Sequence, residues 1–90
     1  MNFDNAIVDT MLAFPAFVGS VRKTDNTADD EPCWLVTFEE RSINGKEILL
    51  EVILRDGGIV ASVLGSWHIT HIETRNVVNT FLNNLELTPE

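Results

Sequence analysis

Ninety residues, 44% of them apolar, fit one globular domain near the lower size limit for unaided folding. Fourteen acidic residues against six basic ones leave a formal charge of −8. That sign repels phosphate backbones and anionic lipid headgroups alike, so neither direct nucleic-acid binding nor membrane-surface binding is expected. The plainest use of the charge is solubility, and a basic protein partner remains compatible with it. Cys33 is the lone cysteine, which removes an intramolecular disulfide. No apolar run reaches the ~20 residues that span a bilayer. The first twenty residues hold Asp4 and Asp9 and lack a basic start, so they do not read as a signal peptide. The expected compartment is the cytoplasm.

Phe3, Ile7, Met11 and Phe14 form one helical stripe, widened by Val8 and Leu12, and predict a helix from Asn2 to about Phe14. Asn2 or Asp4 is placed to cap it. Pro15 lacks an amide donor and clashes with the carbonyl of Met11, so the helix is expected to stop or kink near there. "AFVGSVRK", 16–23, reads as a short strand. "TDNTADDEP", 24–32, is a polar, acidic loop and the expected mobile segment.

"CWLVTFEERS", "KEILLEVILR" and "IVASVLG" are strand-like runs joined by "ING" and "DGG" turns. Side-chain alternation constrains the pairing, because a one-residue slip exchanges the faces. A three-residue Ile43–Gly45 loop pairs Glu40 with Ile48, Phe38 with Leu50, Val36 with Val52 and Trp34 with Leu54. It also sets Arg41 opposite Glu47. A two-residue Asn44-Gly45 turn would oppose Phe38 to Glu51 and is rejected. In the second hairpin an Asp56-Gly57 turn pairs Leu54 with Ile59, Val52 with Ala61 and Leu50 with Val63. One face is then almost wholly apolar.

The opposite face is mixed. In this register Leu35, Ile53 and Val60 lie side by side and Leu49 sits beside Leu64, among Glu39, Arg41, Glu47, Glu51, Arg55 and Ser62. A solvated sheet face is normally polar. Either the first helix or the loop after the first strand covers this face, or it is reserved for another chain.

"THIE", 70–73, fits a capping box in which Thr70 accepts from the Glu73 amide and Glu73 reaches back to the Thr70 amide. Val77, Val78, Phe81, Leu82 and Leu85 continue as an apolar stripe, predicting a helix over 71–86. His71 then opens the helix, whereas His68 precedes the cap. The two imidazoles do not share a helical face, and a tetrahedral zinc site needs more ligands than this pair supplies. Cys33 lies among acids that disfavour a thiolate. No nucleophile elbow, phosphate-binding glycine loop or calcium loop is present.

The implied fold class is α+β: an N-terminal helix, a three- to four-stranded antiparallel β-meander, and a C-terminal helix on the Trp34/Phe38/Leu50 face. That order is loosely similar to small helix–sheet–helix folds such as frataxins and secretion chaperones, and no residue motif ties the chain to either. Without a catalytic constellation, the expected function is a non-catalytic protein-binding module with no cofactor, forming a homodimer. The expected binding residues are Leu35, Leu49, Ile53, Val60, Leu64 and Trp67 on the sheet, with Asp29, Asp30 and Glu31 at an acidic edge. Its concrete form is a small acidic inhibitor or adaptor, of a kind that viruses encode, acting on a basic nucleic-acid-handling protein. The alternatives are a structural subunit of a larger assembly and a small metal-dependent enzyme using Cys33, His68 and His71.

Overall fold

The computed structural model describes residues 2–24 and 30–87, the side chains of 86 and 87 excepted. A helix α1 (Phe3–Ala13) leads into strands β1 (Phe17–Lys23), β2 (Cys33–Glu40), β3 (Glu47–Arg55) and β4 (Gly58–Trp67), and helix α2 (His71–Leu87) follows. The strands form one antiparallel sheet in the order β1-β2-β3-β4. The α+β architecture expected from the sequence is the one observed. Segment 25–29, which holds most of the loop expected to be mobile, lies outside the described residues. No described helix is long and apolar enough to cross a membrane.

Both helices pack on one face of the sheet. Val36, Phe38, Ile48, Leu50 and Val52 from the inner rows of β2 and β3 are fully buried against Val77, Phe81 and Leu85 of α2. The Phe81 ring meets Phe38 edge-on at 5.5 Å, while Phe3 of α1 lies 5.0 Å from Trp34. Helix α1 crosses β1 at Gly19. A Cβ built there would stand 2.6 Å from Ile7 and 2.8 Å from the Phe38 ring, so only glycine permits the approach.

Asn2 caps α1, accepting from the Asn5 amide at 3.1 Å, and the chain leaves the helix before Pro15, as the sequence implies. The buried arc of α1 differs from the expected stripe. Phe3 and Ile7 are buried, but Ala6 and Thr10 widen the arc, while Val8 and Leu12 face solvent. The cause is α2, which lies against the Ala6–Thr10 side. The Thr10 hydroxyl donates to the Ala6 carbonyl at 2.7 Å and stands 3.4 Å from Asn84 Nδ2 of α2. Small residues there let the helices come together.

The second hairpin has the expected register, with Arg55 opposite Gly58 and Val52 opposite Ala61. The first is shifted by two residues: Phe38 faces Ile48, Val36 faces Leu50 and Trp34 faces Val52. Gly45 is left-handed (φ +79°), but the connection between the strands runs from Arg41 to Lys46. Arg41 is drawn away from β3 because its N–H donates to Ala16 O at 2.8 Å and its Nε to Pro15 O at 3.0 Å. Hence the expected Arg41–Glu47 opposition is replaced by Glu39 opposite Glu47. A shift of two preserves side-chain parity, so each residue keeps its predicted face.

The Gly19 contact yields a direct test. Gly19→Val forces α1 off β1 and is expected to cost about 1–3 kcal/mol, as core overpacking does, lowering the midpoint of thermal unfolding. A variant with unchanged thermal stability would show that α1 does not seat on β1 in this way.

Candidate functional site

Alternation along β1–β4 assigns the odd residues of β2 and β3 to the face away from both helices. Leu35, Leu49 and Ile53 lie there, each partly exposed. Ile53 pairs with Val60, which is 40% exposed. The two-residue register shift places Leu35 opposite Glu51, so it is a diagonal neighbour of Ile53 rather than its direct partner. Neither helix covers this face, because both are engaged on the other.

A bulge alters the far end of β4. Leu50 pairs with Val63 but Leu49 pairs with Gly65, so Leu64 is an extra residue, 52% exposed, and does not pair beside Leu49 as expected. One added residue reverses parity for the rest of the strand. Trp67, opposite Glu47, is thereby turned onto the outer face. Its indole lies over Gly65, where a Cβ would stand 2.6 Å from the ring.

Across this end of the sheet one row runs Val18, Glu39, Glu47, Trp67. Two carboxylates directly opposite each other repel, and each is flanked by an apolar side chain. They also line a shallow cleft with Ile43, Asn44 and Lys46. This row was not singled out in the sequence reading, since it depends on both the shifted hairpin and the bulge. At the other end Glu31 pairs with Arg55 at 3.1 Å and Asp30 is exposed. Asp29 lies outside the described residues.

The histidines serve the chain's path. His68, with φ +58°, takes the left-handed conformation that ends β4, and His71 opens α2 with its Nε2 3.0 Å from Arg75 Nη2. Thr70 Oγ1 accepts from the Glu73 amide at 3.1 Å, the forward half of the capping box. The Glu73 carboxylate turns to Lys46 at 3.5 Å, which ties the helix start to the first hairpin. Cys33 is buried at the start of β2. Among the described residues no three His, Cys, Asp or Glu side chains stand grouped as metal ligands would. No protein-family model, curated protein or solved structure compared with the chain matches it.

Two substitutions separate turn geometry from chemistry. His68→Gly removes the Cβ that makes a left-handed residue cost about 1–2 kcal/mol. Chemical denaturation is expected to show equal or greater stability, and a clear loss would mean that the imidazole itself holds the corner. Gly65→Ala displaces only the far edge of the Trp67 indole. In a Trp34→Phe background the fluorescence emission should shift with stability changed by less than ~1 kcal/mol, and an unchanged spectrum would contradict the ring's place over Gly65.

Proposed function

We propose that the protein is a non-catalytic, cytoplasmic protein-binding module that docks a basic segment of a nucleic-acid-handling protein on its outer sheet face. The observation that carries this reading is the Glu39–Glu47 pair beside Trp67 on a face that both helices leave bare. Like charges placed opposite one another destabilise the isolated chain. A guanidinium brought between them would relieve that repulsion and gain two carboxylate partners, with the Trp67 ring nearby to stack on. Leu35, Leu49, Ile53, Val60 and Leu64 supply apolar contact for the rest of the docked segment. Asp30 and the Glu31–Arg55 pair border the other end of the face. The overall charge of −8 adds long-range attraction to a basic surface and competes with nucleic acid for it.

Opposite effects on stability and binding test the pair. Glu39→Gln is expected to stabilise the free chain by about 0.2–1 kcal/mol, read by chemical denaturation, while weakening capture of a panel of basic nucleic-acid-binding domains. Leu35→Lys should weaken the same complexes without unfolding the protein. Raising salt from about 0.1 to 1 M shortens the screening length from about 10 to 3 Å, and affinity should drop steeply over that range. A complex indifferent to salt and to Glu39→Gln would rule out charge-led docking.

A further inference from the structure

The two edges of the sheet differ. On the β1 edge the strand carries Arg22 and Lys23, and the Gly19 N–H is occupied by the Met11 sulfur at 3.3 Å. On the β4 edge, ten residues from Gly58 to Trp67 contain no proline and no Asp, Glu, Lys or Arg, in a chain that is 22% charged. Sheet edges are normally blunted by lysine, proline or a covering element, because their open amides and carbonyls template another strand. Between Gly58 and Val63, β4 has none of these.

We infer that β4 pairs antiparallel with β4 of a second copy of this chain, joining two sheets into one. Arg55 and Gly58 flank the two-residue turn and exchange hydrogen bonds, so alternation sends the N–H and C=O groups of Ile59, Ala61 and Val63 to the open edge. A two-fold axis at Ala61 sets Ala61 opposite its own copy and Ile59 opposite Val63, which satisfies all of these groups at once. The bulge at Leu64 comes just after this stretch and leaves it regular.

Packing on the inner face agrees. Leu50 and Val52 on β3 are fully buried, whereas their β4 partners Val63 and Ala61 are exposed by 46% and in part. The helical layer stops short of β4, and a second copy extends the apolar surface there. Charge selects the occupant. A basic strand would find no carboxylate on β4, but two copies that repel elsewhere meet there along a strand without charge. The inference stands on different groups from the outer-face reading and extends that face across both chains.

Light scattering on the intact chain tests it, together with hydrogen exchange. The expected result is a dimer in which the amides of Ile59, Ala61 and Val63 are protected. Ala61→Pro removes an amide that bonds nothing within the chain, and Val63→Lys places a charge opposite Ile59 of the second copy, once on each side of the axis. Each should give a folded monomer with the circular dichroism of the parent. Leu35→Lys should remain a dimer. Should Ala61→Pro fail to fold, Val63→Lys and the exchange rates of the unaltered protein decide. A monomer at the highest soluble concentration would overturn the pairing, as would a dimer that survives both substitutions with those amides unprotected. A monomer that still captured basic domains would sink the edge pairing alone. A dimer that captured none would sink the docking reading alone.

Discussion

The Phe38 ring is the point at which the layers of this fold are fixed to one another. It is fully buried, meets Phe81 of α2 edge-on, and lies where a Cβ on Gly19 would strike it, beside Ile7 of α1. One side chain on β2 therefore sets the height of both helices and the position of the neighbouring strand. Edge-to-face geometry adds about 0.5–1.5 kcal/mol to the apolar burial itself. More importantly, the contact commits α1 and α2 to the same face. Among the described residues there is no third helix to cover the other.

The character of the outer face follows from that commitment. A sheet with one solvated side reaches stability with polar residues outward. Here Leu35, Leu49, Ile53 and Val60 occupy outward positions, and the acidic residues among them include a pair that face each other. Neither feature improves the isolated chain: the aliphatic groups remain partly in water, and the two carboxylates repel. Local choices that conflict with the fold's own stability concentrate where a protein meets something else. The inner face shows no such conflict. Its single buried unpaired polar side-chain atom among the described residues is the Thr74 hydroxyl, at the edge of the core near the start of α2.

Much of this arrangement was legible in the sequence because parity survives the errors to which sequence reading is prone. The register that alternation favours for the first hairpin differs from the observed one by two residues, yet Phe38, Val36 and Leu35 all keep their faces, since two residues complete one strand period. Apolar alternation alone carries the parity of the first hairpin and the register of the second as far as Leu50 and Val63. What it could not see was Arg41 bonding back to Ala16 and Pro15, a long-range competition that lengthened the loop. Helix α1 shows the same limit. Its apolar positions predicted the helix, but which side of the stripe is buried depends on where α2 lies. Asn84 and Thr10, far apart in the chain, settle that.

The bulge at Leu64 was the least legible feature and has the widest consequences. Had β4 run without interruption, Trp67 would share the inner parity of Ile59, Ala61 and Val63, at the rim of the helical layer. The extra residue sends the indole outward, over Gly65 and beside Glu47. Glycine at 65 is what allows this, for any side chain there would occupy the space of the ring. The left-handed His68 then turns the chain into α2. Without these two irregularities the strand would be a longer regular edge, with the indole on the inner side. With them, the regular stretch before Leu64 and the aromatic end after it are separated, so that the proposed backbone pairing and the proposed side-chain docking draw on different parts of one strand.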